Sequence, residues 1–128
     1  MLKKNLRNEK GFTLIELIIV IAIIAIISAI LAPSFSRMTT RSRLKADINT
    51  ARELTRQAGL YNADKGSYPA NLSDLVDDEY IDEAPTPQTT GAAFEWNNDK
   101  YIVNLDSADE KVKTIKDTLS DAETAFTN

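Results

Sequence analysis

The stretch FTLIELIIVIAIIAIISAILA, residues 12–32, decides how the rest of the chain is read. Eighteen of its 21 residues are apolar, nine of them isoleucine, and only Thr13, Glu16 and Ser28 interrupt the run. At 1.5 Å per residue it makes a helix of roughly 30 Å, enough to cross the hydrocarbon core of a bilayer. β-Branched Ile is a middling helix former in water, but in lipid the backbone must satisfy its own hydrogen bonds, so helix is the state expected. Upstream, Lys3, Lys4, Arg7 and Lys10 against Glu9 give residues 1–11 a net charge of +3. By the positive-inside rule this end stays cytoplasmic and the C-terminal part is exported. An ordinary secretory signal has a shorter apolar core followed by small residues at −3 and −1; here Ala32 has Ile30 at −3. Glu16 is the feature a plain anchor does not explain. A carboxylate inside an apolar helix costs about 2.5–3.5 kcal/mol at mid-membrane, so it points to a function and to a partner.

Composition removes most other classes. Among the 128 residues there is no Cys and no His, which excludes disulfide scaffolds, Cys/His zinc sites, thiol nucleophiles and imidazole-dependent triads. Four glycines, in no Gly-rich loop, leave no phosphate cradle. The expectation is a protein that is not an enzyme and has no cofactor. Its net charge of −4 argues against nucleic acid as a partner.

The octapeptide Lys10-Gly11-Phe12-Thr13-Leu14-Ile15-Glu16-Leu17, behind a basic leader and ahead of an apolar helix, resembles the signal of type IV prepilins, the precursors of pilins and pseudopilins. The resemblance implies cleavage by a prepilin peptidase between Gly11 and Phe12, with Phe12 as the new, N-methylated terminus. It makes residues 1–11 the leader, 12–33 a transmembrane and filament-core helix, and 34–128 an exported domain that includes the second half of that helix. Pro33 falls where the family commonly has a helix-loosening proline. Glu16 then gains a partner: the α-amine created at Phe12 of a neighbouring subunit, a pairing that sets the register between packed helices.

Beyond Pro33 the pattern turns amphipathic. Leu44, Ile48, Ala51, Leu54, Ala58 and Tyr61 recur at helical spacing. One helix from about Phe12 to Asp64 is expected, apolar all round at first and on one stripe later, ended by Gly66. Asp64-x-Gly66-x-Tyr68-Pro69, followed by Leu72, Leu75 and Val76, resembles the loop that leaves the long helix of pilins, and implies that Tyr68, Leu72, Leu75 and Ile81 are core. Phe94-Glu95-Trp96 and Tyr101–Leu105 around Asn97-Asn98-Asp99-Lys100 read as a β-hairpin, with Trp96 as a core anchor. Ser107 with Glu110 makes a capping-box pattern, and Val112, Ile115, Leu119, Ala122 and Phe126 follow at helical spacing, so a C-terminal helix of about 107–126 is expected. The fold class is α+β and pilin-like.

Charge is segregated. Arg37, Arg41, Arg43, Lys45, Arg52 and Arg56 against Asp47 and Glu53 make residues 37–56 net +4, whereas residues 57–128 carry five basic and fifteen acidic groups. The basic band could meet anionic lipid headgroups before assembly or acidic surfaces of neighbouring subunits afterwards. No metal is assigned. Asp77, Asp78 and Asp82, in the acidic run at 74–83, are the residues calcium would recruit, but their spacing fits no EF-hand. The leading function is a structural subunit of a type IV pilus-like filament. It is stored in the membrane as a single-pass protein with its N-terminus in the cytoplasm, then assembled with other copies and other pilins by an inner-membrane platform protein and an assembly ATPase. The product is an extracellular pilus or, in the alternative, a periplasmic or wall-spanning pseudopilus of a type II secretion or competence DNA-uptake machine. A minor tip pilin acting as an adhesin or binding module is the second alternative.

Overall fold

Helix α1 runs from Leu14 to Lys65 without a break, through Pro33. A computed structural model describes residues 11–128, so of the leader at 1–11 all but Gly11 lies outside the described residues. After α1 come α2 (Leu72–Asp77), β1 (Glu95–Asn97), β2 (Lys100–Ile102), α3 (Glu110–Lys116) and α4 (Asp121–Thr124). The chain divides into two units, one ending at Ser36 and the other running from Arg37 to Asn128. The described part of the first unit is the start of α1, whose residues through Phe35 are all exposed. The second is the remainder of α1 with the small α+β domain packed on it.

The amphipathic stripe forms the spine of that domain. Leu44, Ile48, Ala51, Leu54 and Ala58 are buried, and Leu75, Phe94, Tyr101, Val103, Leu105, Val112 and Ile115 close over them. Burying each large apolar side chain contributes about 1.5–3 kcal/mol, and this shared core holds elements too short to be stable alone. Gly66 ends α1 at φ +80°, where its N–H reaches back to the Asn62 carbonyl. Asn71 and Asp74 form a reciprocal capping box that starts α2. The Tyr80 hydroxyl donates to Asp64 at 2.6 Å and Lys65 pairs with Asp78 at 3.0 Å, tying the following loop to the end of α1. The Asp64 carboxylate pushes the Tyr80 phenol up to about 12, so that contribution is whole below pH 10 and disappears as pH rises through the folded value.

β1 and β2 pair antiparallel, Glu95 with Ile102 and Asn97 with Lys100, around a turn in which Asn98 takes φ 59°. Asparagine tolerates that left-handed conformation, which the hairpin needs. Trp96 is half-buried against Tyr101, with ring centroids 4.9 Å apart. Tyr68 departs from expectation: it is 47% exposed and covers the outer face of Trp96 at 5.2 Å instead of entering the core, while Pro69 beside it is buried.

The C-terminal helix expected over 107–126 is two short helices. Ser107 does not cap; the first helix begins one residue after Asp109, in a turn closed by Ala108 N–H donating to Leu105. The break at 117–120 has a local cause. Thr118 and Leu119 N–H groups bond three residues back, and Ser120 with Glu123 makes a fresh capping box that opens α4. It has a tertiary cause as well. The backbone of Phe126 accepts from Val103 N–H at 2.8 Å, and Arg52 reaches the Ala122 carbonyl at 3.1 Å. Lys45 pairs with Glu123 at 3.2 Å, while Arg52 and Lys100 lie over the Phe126 ring.

Asp47, counted in the sequence among the charges of the basic band, is 2% exposed and faces the core side of α1. Its two oxygens accept from Gln88 N–H at 2.8 Å, Thr89 N–H at 2.9 Å and the Thr89 hydroxyl at 2.5 Å. The loop after Pro87 is therefore latched to α1 by one buried carboxylate, because a buried charge is tolerable only when hydrogen-bonded. The buried Tyr101 hydroxyl, by contrast, has no partner among the described residues.

These two groups predict opposite outcomes. Asp47→Ala leaves two backbone N–H groups without acceptors and should cost about 3 kcal/mol, with Asp47→Asn milder. Tyr101→Phe removes an unsatisfied hydroxyl and should be neutral or stabilise by about 1 kcal/mol. Urea unfolding of the full chain in detergent reads both.

Glu123 predicts a pH dependence. The Ser120 backbone N–H, then the Lys45 ammonium and the Ser120 hydroxyl, hold its carboxyl at about 2 against an ordinary 4.5. Its contribution is complete above pH 4.5 and is lost as pH falls through about 2, because over that interval the unfolded chain binds the extra proton. Melting temperature followed from neutral pH to pH 2 should show a shallower acid decline in Glu123→Gln than in the unsubstituted chain.

Candidate functional site

The site is built on the first turn of α1 and the residues leading into it. Gly11, Phe12 and Thr13 are not helical and are exposed, Phe12 by 92%. Among the described residues nothing lies within 4 Å of where a side chain on Gly11 would begin. The Gly11–Phe12 bond lies, among the described residues, in exposed, irregular backbone two residues ahead of the helix. Lys10 lies outside the described residues.

Thr13 is the N-cap of α1. Glu16 N–H donates to Thr13 Oγ1 at 3.2 Å, and the Glu16 carboxylate reaches back to accept from Thr13 N–H at 2.7 Å. The Thr13 hydroxyl also donates to that carboxylate, at 3.0 Å. This is a capping box, T-x-x-E, and it was legible in the sequence by the same rule applied to Ser107 and Glu110. Both Thr13 donors go to Glu16 Oε2, leaving Oε1 without one among the described residues. Glu16 is exposed and has no cation beside it among the described residues. The box therefore fixes the carboxylate at the positive end of the helix.

From Leu14 to Leu31 the side chains behind Glu16 are exposed on every side of the helix; Ile18 is 47% exposed and Leu14 78%. This is the one helix among the described residues long and apolar enough to cross a membrane. A helix apolar all round belongs in lipid or among other helices. Pro33 sits inside α1; it has no N–H to offer the Ala29 carbonyl, so the ladder loses one bond there.

The remaining sequence candidates lie apart from this site. Asp78 is engaged with Lys65, whereas Asp77 and Asp82 are exposed. Among the described residues no group of three or more His, Cys, Asp or Glu converges closely enough to hold a metal. Within the basic band, Lys45, Arg52 and Arg56 are used by Glu123, Ala122 and Glu53. Arg37, Arg41 and Arg43 are exposed and make no ion pair among the described residues.

The comparisons with known proteins agree with this geometry. The family described as the prokaryotic N-terminal methylation motif matches residues 6–32, which contain Gly11, Phe12, the capping box and the apolar helix. The chain is similar to the fimbrial protein EcpC of Eikenella corrodens, 44% identical over 63 residues that cover 49% of this chain and 41% of that one. It is similar to the type IV wide pilus major component PilA4 of Thermus thermophilus, 42% identical over 73 residues, 56% of this chain and 54% of that one. The type II secretion system core protein G of Pseudomonas aeruginosa is 27% identical over 101 residues, 77% of this chain and 66% of that one. The chain thus spans about half the length of the first two relatives. No solved structure matches it. The chain thus carries the prokaryotic N-terminal methylation motif over residues 6–32 and is similar, over part of its length, to a fimbrial protein, a type IV pilus component and a type II secretion core protein.

Proposed function

We propose that the chain is a structural subunit of a type IV pilus-like filament that works by self-association and not by catalysis. The observation that carries this reading is the wholly exposed apolar helix headed by a positioned carboxylate. The precursor waits in the membrane as a single-pass protein, residues 1–11 cytoplasmic and 34–128 exported. A prepilin peptidase hydrolyses the Gly11–Phe12 amide and frees an α-amine on Phe12, which is then N-methylated and keeps its positive charge. In lipid both charges are costly, so the Glu16 carboxylate of one subunit and the Phe12 amine of the next favour pairing. Pairing fixes the axial register while residues 12–33 exchange lipid for neighbouring helices, with Pro33 loosening the helix where it leaves the core. An inner-membrane platform protein and an assembly ATPase supply the extraction.

A second reading keeps the same subunit chemistry in a type II secretion pseudopilus. It is favoured by one observation, the longest of the three alignments, which is to the secretion protein G. Long surface fibres made of this chain support the pilus; short envelope-confined assemblies support the pseudopilus.

Two substitutions test the site. Glu16→Gln should leave cleavage after Gly11 intact, read as the mass of the processed chain, and reduce sheared filaments at least about tenfold, the loss of one buried charge pair. Normal filament yield from that variant sinks the pairing. Thr13→Val should cost the cap about 1 kcal/mol and raise hydrogen exchange at the Glu16 amide about fivefold, with Thr13→Ser near the unsubstituted chain.

A further inference from the structure

The charges left over after the domain has made its own ion pairs fall into two patches of opposite sign. The basic patch is at the foot of the domain. Arg37 and Arg41 are one turn apart on the same face of α1, with Met38, 73% exposed, close by. Arg37 and Lys111, from α3, flank a depression of 210 Å³ lined by Thr114, Ile115 and Thr118. All three cations are exposed and none makes an ion pair among the described residues.

The acidic patch is the loop after α2. Asp77, Glu79, Asp82 and Glu83 are exposed and make no ion pair among the described residues, whereas Asp78 is paired with Lys65. The loop is held in place: Glu79 sits at φ 62°, Tyr80 and Ile81 N–H groups both donate to the Leu75 carbonyl, and the Tyr80 hydroxyl is on Asp64. Because the loop is fastened at Asp64 and Lys65, it lies about 25 residues along α1 from the basic patch, roughly 38 Å at the helical rise. The two patches cannot meet within one chain.

We propose that the basic patch of Arg37, Arg41 and Lys111, with the depression between Arg37 and Lys111, is a docking site for the acidic 77–83 loop of a second copy of this chain. An anionic headgroup would satisfy the arginines but leave the four like charges of the 77–83 loop without a cation. A second copy displaced along the helix by roughly 38 Å satisfies both patches at once, and guanidinium to carboxylate is the pairing that gives direction as well as attraction. The contact joins two different surfaces, so it repeats from copy to copy and propagates an open helical array instead of closing a dimer. It rests on the filament reading above and adds to it a second, domain-level register.

The absence of cysteine gives a clean background for the test. In an assembly-competent host, the full chain carrying Arg41→Cys together with Asp82→Cys should give an oxidation ladder of dimers and higher multimers, and neither single variant should give more than dimers. In the cysteine-free chain, Arg37→Glu with Arg41→Glu should lower filament yield about tenfold, and adding Asp82→Lys with Glu83→Lys should restore it, with cleavage after Gly11 unchanged throughout. Filaments that form with no ladder and with no effect of reversal overturn the docking and leave the filament reading standing. Absence of filaments from the unsubstituted chain overturns both. If reversal weakens retention on phosphatidylglycerol vesicles and the acidic reversal restores nothing, the partner is lipid and the docking is wrong.

Discussion

The rest of the structure depends on one constraint: the first half of α1 is apolar on every side and, among the described residues, exposed. Its large apolar side chains from Phe12 to Leu31 are exposed, and water is not a solvent in which such a helix persists. Such a helix belongs in lipid or among other helices. In the proposed filament subunit, passage from the one to the other is the physical content of assembly. Van der Waals packing between like helices replaces contact with lipid tails at little cost, so a small directional term can decide when and in what register helices associate.

That directional term is placed at the head of the helix. The capping box fixes the Glu16 carboxylate and sets it at the positive end of α1, yet leaves one oxygen without a donor among the described residues. The same carboxylate serves the fold of one chain and the proposed pairing between chains. The domain behaves differently, with its own core and its own internal pairs. Its buried Asp47 latches the 88–89 loop, and its C-terminal turn is pinned by Lys45, Arg52 and Val103.

Much of this was legible before any coordinates. The apolar block, the stripe from Leu44 to Ala58 and the stop at Gly66 follow from periodicity and from backbone freedom, both local properties. The hairpin turn followed from Asn97-Asn98-Asp99-Lys100, rich in residue types that tolerate turn dihedrals, and Asn98 is the one at positive φ. The misses are equally physical. Thr13 and Glu16 carry the same capping pattern as Ser107 and Glu110, but only the first pair caps a helix. A box forms where the following turn is otherwise helical, and the chain at 107–109 is instead bent into a turn over the core. Asp47 stands among Leu44, Ile48 and Ala51 on the buried face, so its position was visible; its acceptor role was not, because Gln88 and Thr89 lie some forty residues away. The single C-terminal helix failed because identical apolar spacing on both sides of Ser120 hides a break imposed by contacts with α1 and β2.

The most direct measurement is cryo-electron microscopy of filaments assembled by the full chain. Residues 12–32 should be packed helix against helix at the filament centre, with the Glu16 carboxylate within about 4 Å of a neighbouring subunit's Phe12 amine. A filament in which Glu16 faces no amine, or in which residues 12–32 lie outside the core, would contradict this arrangement.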